Sequence, residues 1–256
     1  MAKGIILAGG LGSRLSPLTR DDNKHLLPVY TKRMVEIPLA SLVDLGLEDV
    51  VIVVGGKRRG AFFELLGNGH QYGLERLYYA SQEGEAGIPD ALKQAEPFIT
   101  KEHSLADKKE PCVVILGDNY FEDSLKEIYE DWLVQHGGKG ACCILKQVDN
   151  PWHFGVAEVD SETGQIVALD EKPAEPKSDL AVVGCYFFDA DVWSYIDQIK
   201  PSARGELEIT DILKIYMGND KLRYYVYNGF WQDLGTFDSW MNVSKRLEEK
   251  ENATKR

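Results

Sequence analysis

Gly9, Gly10 and Gly12 interrupt the chain directly after an apolar run, Gly4–Ala8, and Arg14 and Lys24 follow closely. Glycines at such a place let the backbone turn sharply and bring N–H groups near anionic oxygens. A guanidinium can hold two phosphate oxygens as a fork, and an ammonium adds a mobile point charge. The chemistry this loop could serve is the handling of phosphate, although the same residues also suit a tight turn flanked by two surface cations. Two common nucleotide loops are excluded. Leu15 stands where the dinucleotide fingerprint needs its third glycine, and the Gly-Lys-Ser/Thr of a Walker A loop is absent. Asp118, in Gly117-Asp118-Asn119 beyond the apolar run Cys112–Leu116, is a second candidate. A carboxylate at the end of a buried strand suits a hard divalent cation, while Gly-Asp-Asn is equally turn chemistry.

The elements that must position these residues follow from the apolar pattern. Continuous runs at Gly4–Ala8, Asp49–Val54, Arg76–Ala80, Cys112–Leu116 and Ala141–Lys146 read as strands covered on both faces. Helices are expected between them, over Met34–Leu45, Arg59–Leu66, Pro89–Phe98 and Ser124–His136, with Gly46, Gly67 and Gly137 as stops. This alternation predicts βαβ units. Lys101–Glu110 is charged, without periodicity, and reads as a surface loop. The second half changes character. Phe154–Asp160, Gln165–Asp170 and Val182–Phe188 read as antiparallel strands, with a turn at Ser161–Gly164. Asp191–Ile199 and Leu207–Met217 read as helices, Leu222–Tyr227 as a strand, Thr236–Lys250 as a last helix, and Glu251–Arg256 as a frayed tail. The fold class is therefore α/β: a Rossmann-like, mostly parallel central sheet with helices on both faces and a smaller antiparallel part, in one unit over 1–256.

Composition narrows the partners. The 256 residues are 44% hydrophobic and 27% charged, as in ordinary globular chains. A net charge of −12 argues against non-specific nucleic-acid binding, which rests on Lys and Arg. A local basic cluster can still bind a phosphorylated small molecule. No apolar run approaches the roughly 18–20 residues that span a bilayer, and the N-terminus lacks a secretory pattern, so no membrane and a cytoplasmic location are expected. Cys112, Cys142, Cys143 and Cys185 lie in strand-like settings without zinc spacing and read as buried thiols. The five histidines are scattered, and Tyr224-Tyr225-Val226-Tyr227 reads as strand packing.

Taken as blocks, the residues become more specific. Gly4 through Thr19, with Asn23-Lys24-His25-Leu26-Leu27-Pro28-Val29, closely resembles the sugar nucleotidylyltransferases. The likeness continues through Ile115-Leu116-Gly117-Asp118-Asn119, Glu171-Lys172-Pro173, Pro201 to Asp211, and Trp231-Gln232-Asp233-Leu234-Gly235-Thr236, in the family's order. Within the family it is most similar to the short glucose-1-phosphate thymidylyltransferases. The resemblance implies that Leu7, Gly9, Gly10, Gly12, Ser13 and Arg14 wrap a nucleoside triphosphate, with Lys24 bridging the two substrates' phosphates and His25 nearby. Gln82, assisted by Gly87, would read a pyrimidine edge, since its amide offers a donor and an acceptor. Asn119, Gly155, Glu171, Lys172, Val182 and Arg204 would surround a hexose 1-phosphate. Asp118 and Asp233 would hold Mg2+. Arg14, Lys24, Lys172 and Arg204 would be the catalytic cations; a surface salt bridge is the alternative for each.

The implied chain thus divides into a nucleotide-binding half (about 1–146), a sugar-phosphate-binding half (about 147–235) and a C-terminal helix and tail (236–256). The implied reaction is in-line attack of the sugar phosphate on the α-phosphorus of dTTP or UTP. That nucleophile is already ionised near neutral pH, so positioning and charge neutralisation suffice and no general base is nominated. A homo-oligomer is expected by analogy. The chain departs from the family's pattern at Pro89-Asp90 (usually Ala-Gln), Val183 (commonly Thr), Phe154 (often Tyr) and Arg33 (normally Pro), and no C-terminal effector site is expected.

Overall fold

The computed structural model describes residues 2–100 and 110–255. The loop expected at Lys101–Glu110 therefore lies, apart from Glu110, outside the described residues. The first half runs β1 (Lys3–Ala8), β2 (Pro28–Val29), β3 (Lys32–Arg33), α1 (Glu36–Asp44), β4 (Asp49–Val54), α2 (Gly60–Leu66), β5 (Arg76–Ser81) and α3 (Ile88–Thr100). Next come β6 (Cys112–Leu116), β7 (Asn119–Phe121), α4 (Lys126–His136), β8 (Ala141–Gln147), β9 (Gly155–Val159), β10 (Ile166–Glu171) and β11 (Leu180–Phe188). The chain closes with α5 (Val192–Ile196), α6 (Ile209–Gly218), β12 (Leu222–Val226), β13 (Trp231–Asp233) and α7 (Phe237–Thr254).

Among the described residues, nine strands form one mixed sheet along the path β10-β9-β11-β6-β1-β4-β5, with β8 paired to β11 and β12 to β8. β6, β1, β4 and β5 are mutually parallel. β11 runs antiparallel to β6, β8 and β9 and so ties the antiparallel part into the same sheet. Side chains alternate across it, as strand geometry requires. Ile6, Val50, Ile52 and Val54 face α1, α2 and α4, while Ile5, Leu7, Val51 and Val53 face α3, α5 and α6. Cys142 and Cys143 divide the same way, and all four cysteines are free and buried. Truncating such a side chain, Ile52→Ala for instance, would cost about 2–5 kcal/mol.

A third, smaller core binds the last helix beneath the glycine loop. It contains Leu15, Leu27, Val29, Met34, Tyr120, Leu234 and Val243. α7 starts at a reciprocal cap, in which Thr236 Oγ1 accepts from Ser239 N at 3.2 Å and Ser239 Oγ from Thr236 N at 3.1 Å. Its far end corrects the expectation of a frayed tail: the helix continues to Thr254. Arg246 and Lys250 anchor it to Glu122, and Thr31 Oγ1 donates to Glu251 Oε2 at 3.5 Å. Among the described residues no helix is long and apolar enough to cross a membrane.

Candidate active site

The site gathers at the carboxyl ends of the parallel strands, where open α/β sheets bind ligands. β1 ends at Ala8 and releases the glycine loop. Gly12 has φ 67°, a left-handed conformation, and a Cβ there would lie 2.7 Å from Lys24 Cβ. Glycine lets the loop curl over Lys24. Leu15, fully buried, anchors a single turn of 3-10 helix, Ser13–Leu15, that carries Arg14. Lys24 begins another such turn, capped by Asn23, whose Oδ1 accepts from His25 N at 2.9 Å. Asn23 Nδ2 donates to Gly55 O at 2.9 Å, which ties this turn to the end of β4.

Lys24 Nζ meets Asp118 Oδ2 at 2.5 Å, with side chains 12% and 13% exposed. Burial alone would raise the Asp118 carboxyl, but Lys24 and the amide of Asn119 hold it well below the usual carboxylate range. Asp233 arrives on the short antiparallel pair of β7 and β13, in register with Asn119. Leu234 N donates to Asp118 O at 2.8 Å, which locks the two acidic segments together. Burial and the neighbouring Asp118 charge raise the Asp233 carboxyl, against Gly235 N, Lys24 and Arg14, which lower it. Arg14 is close by: a Cβ on Gly235 would lie 2.6 Å from its Nη2 and 2.9 Å from Asp233 Oδ1. Four of the expected residues therefore meet.

His25 is fully enclosed and its imidazole is lowered to about 3 by burial and the Lys24 charge. Its Nδ1 lies 2.8 Å from Asn23 Oδ1, an acceptor, so Nδ1 carries the hydrogen. The ring is neutral and is no proton donor at neutral pH.

The remaining cations stand opposite. Lys172 follows β10 with φ 44°, a left-handed backbone unusual outside glycine, of the kind found at functional sites. Arg204 Nη2 contacts Glu208 Oε2 at 2.6 Å, Glu171 Oε1 at 3.3 Å and Glu206 Oε2 at 3.6 Å. Glu171 is raised by burial and by Glu208, and its Oε2 accepts from Thr210 Oγ1 at 3.1 Å.

Two adjoining cavities result. The first, about 300 Å³, is lined by Leu7, Gly9, Gly10, Lys24, His25, Gln82, Gly87 and Asp118, with Glu171, Lys172 and Arg204 across from them. The second, about 930 Å³, has Ser13, Arg14, Asn119, Gly155, Val182 and Asp233 in its wall and shares Glu171 and Lys172. Every residue expected from the sequence to bind substrate, nucleotide or metal lies in one wall or the other, except Gly12, which instead packs against Lys24. Asn119 does so with its amide engaged: Nδ2 donates to Asp118 Oδ1 at 3.0 Å, while Oδ1 accepts from Trp231 Nε1 at 2.8 Å and Gly184 N at 3.2 Å.

Sequence reasoning overlooked Glu85, whose Oε1 accepts from Leu11 N at 2.9 Å, and Glu208, which is 5% exposed. Glu208 sits inside the block Pro201 to Asp211, so the signal was present. Among the described residues, no group of three or more His, Cys, Asp or Glu is arranged to hold a metal ion. Asp118 and Asp233 make a pair of oxygen donors, as magnesium uses alongside phosphate and water.

The profile of the Nucleotidyl transferase family matches residues 3–250. The chain belongs to that family. This nucleotidyl transferase is 40% identical over 254 residues to a glucose-1-phosphate thymidylyltransferase of Neisseria gonorrhoeae, covering 98% of this chain and 84% of the other. It is 34% identical to the low-salt glycan biosynthesis nucleotidyltransferase Agl11 of Haloferax volcanii, covering 99% of this chain and 68% of that one. Among solved structures, a Bacillus anthracis protein provisionally named a glucose-1-phosphate thymidylyltransferase, in complex with sucrose, superposes with TM-score 0.85. The two are 40% identical, over 96% and 95% of the chains. A UDP-glucose pyrophosphorylase complexed with UDP-glucose shares the fold at TM-score 0.81 and 23% identity, over 98% and 99% of the chains.

Proposed function

We propose that this nucleotidyl transferase joins glucose 1-phosphate to the nucleoside monophosphate of a pyrimidine triphosphate, dTTP or else UTP, releasing pyrophosphate. The observation that carries the reading is the meeting of Arg14, Lys24, Asp118 and Asp233 beside a cavity whose far wall bears Lys172 and Arg204. The names of the relatives from Neisseria and Bacillus support the choice of sugar phosphate and nucleotide.

An oxygen of the sugar phosphate forms the new bond to the α-phosphorus. The bond from that phosphorus to the bridging oxygen breaks, and pyrophosphate leaves with the electron pair. Two anions must approach, so cations on both walls of the cavity are what the reaction needs. Arg14 and the backbone of the glycine loop hold the triphosphate, while Lys24 stands between the two substrates' phosphates. Lys172 and Arg204 receive the sugar phosphate; Arg204 is held in place by Glu208. A magnesium ion held by Asp118 and Asp233 would neutralise charge on the triphosphate oxygens. His25, lowered to about 3, is too weak a base to be given a proton-accepting role.

The test is pyrophosphate release from each of ATP, GTP, CTP, UTP and dTTP with several hexose 1-phosphates, with magnesium and with a chelator. The expected result is turnover of dTTP or UTP with glucose 1-phosphate, abolished by the chelator. Preference for ATP or GTP would overturn the pyrimidine assignment.

A further inference from the structure

Gln82 is the first residue beyond β5 and only 4% exposed, in the wall of the smaller cavity. Its Oε1 rests over Gly9, so closely that a Cβ on Gly9 would overlap it. The other end of the amide turns away. Nε2 donates to Asp90 Oδ2 at 2.8 Å and makes a longer contact of 3.4 Å to Gly87 O. An amide nitrogen has two hydrogens, so these two acceptors use both. A carboxylate accepts and does not donate. Reversing the Gln82 amide would therefore set Oε1 against Asp90 Oδ2, with no hydrogen between them. Asp90 lies in the first turn of α3, where the helix N-terminus favours an anion. The expectation that Gln82 offers a nucleotide both a donor and an acceptor is thus revised: its donor is committed within the protein.

We infer that Asp90 is a positioning residue that makes Gln82 an acceptor-only reader of the base. The ring that fits presents an N–H to Oε1, as the imide N3–H of uracil or thymine does. Cytosine turns a bare N3 to the same oxygen and is repelled. The carbonyls flanking the imide take their donors from groups other than Gln82. This inference rests on the pyrimidine reading above and adds the device that selects within that class.

The experiment compares kcat and KM for UTP, dTTP and CTP in the wild type, Asp90→Ala and Asp90→Asn. In Asp90→Ala the amide keeps only the longer contact to Gly87 O and can turn its NH2 toward cytosine. The preference for UTP over CTP should fall about tenfold or more, the worth of one hydrogen bond to the base. The change should appear in KM, with kcat for UTP held within about twofold. Asp90→Asn fills the same space, but its amide can turn and donate to a reversed Gln82, so it should lose the preference nearly as far as Asp90→Ala. An undiminished preference in Asp90→Ala overturns the inference and leaves the function reading intact. A wild type that prefers purine triphosphates sinks both. A readout needing no variant is the Gln82 side-chain amide by NMR. Slow hydrogen exchange in the free protein is expected, and exchange at the rate of an open glutamine would also overturn the inference.

Discussion

Asp233 reaches Asp118 through a three-residue ladder: Asp233 pairs with Asn119, and Leu234 N bonds the Asp118 carbonyl at 2.8 Å. The backbone itself joins the two segments that carry the carboxylates. Lys24 pairs with Asp118 at 2.5 Å and Arg14 lies beside Asp233, yet burial and the Asp118 charge still disfavour the Asp233 carboxylate in the folded chain. Stability and activity should consequently part company here.

Replacing Asp233 by Asn removes the like charge but keeps an acceptor for Gly235 N. The melting temperature should rise, because burial and the Asp118 charge outweigh what Gly235 N, Lys24 and Arg14 return to the Asp233 carboxylate. Turnover should fall by at least about 10²-fold. Asp118→Ala should lose activity as well but also lose stability, on the order of 3 kcal/mol, because Lys24 is left buried without its partner. Calorimetry beside a pyrophosphate assay checks both; a destabilised Asp233→Asn would contradict the claim that folding disfavours the Asp233 carboxylate.

Acid should weaken the fold through His25. Its folded value is lowered to about 3 by burial and then by Lys24. The unfolded chain takes up a proton near pH 6.5 that the folded chain refuses until about pH 3. The contribution is complete above 6.5 and is lost as pH falls between these values, by up to about 1.4 kcal/mol per unit. Urea titrations at pH 7.5 and 5.0 should show a smaller pH dependence in His25→Gln than in the wild type. Identical pH dependence would acquit His25.

Arg204→Ala should have the opposite pH signature. Arg204 lowers Glu171, a carboxyl already raised by burial and by Glu208. Without it the folded value rises further. A group raised in the folded state contributes stability at low pH and loses it as pH climbs. The variant's stability deficit relative to the wild type should be larger at pH 7.5 than at pH 5, and its KM for the sugar phosphate should rise about tenfold or more. Equal deficits at both pH values would mean that Arg204 does not govern Glu171.

Gly9→Ala tests the closeness of the glycine loop to Gln82. The added methyl overlaps Oε1, the tip of a flexible side chain that can move aside. Stability should change by less than about 1 kcal/mol. KM for the nucleotide should rise about tenfold through the lost base contact. An unaltered KM would place the base away from Gln82.

Much of the fold was legible because buried parallel strands announce themselves as unbroken Val/Ile/Leu runs. Asp49–Val54 and Cys112–Leu116 were read at their observed limits. β7 and β13 were not legible. Asn119-Tyr120-Phe121 and Trp231-Gln232-Asp233 are too short to display a two-residue period, and each exists only because the other pairs with it. The far end of α7 was missed for a related reason: its polar surface reads as a tail until Glu122 and Thr31 appear beside it. At the site, the glycine loop and Asp118 were visible as local patterns. Asp233, Lys172 and Arg204 came only with the family's blocks. The tie between Gln82 and Asp90 depends on α3 folding back against the end of β5, which no spacing rule encodes.

The late position of β13 has a consequence for synthesis. A ribosome that has released the chain only as far as Asn228 has delivered the glycine loop, Lys24, Asp118 and Arg204, yet neither Asp233 nor the strand that steers it. The third core, which needs Leu234 and Val243, cannot close either. A nascent product of that length lacks both the Asp118–Asp233 pair and the third core, and the two form together with the last helix.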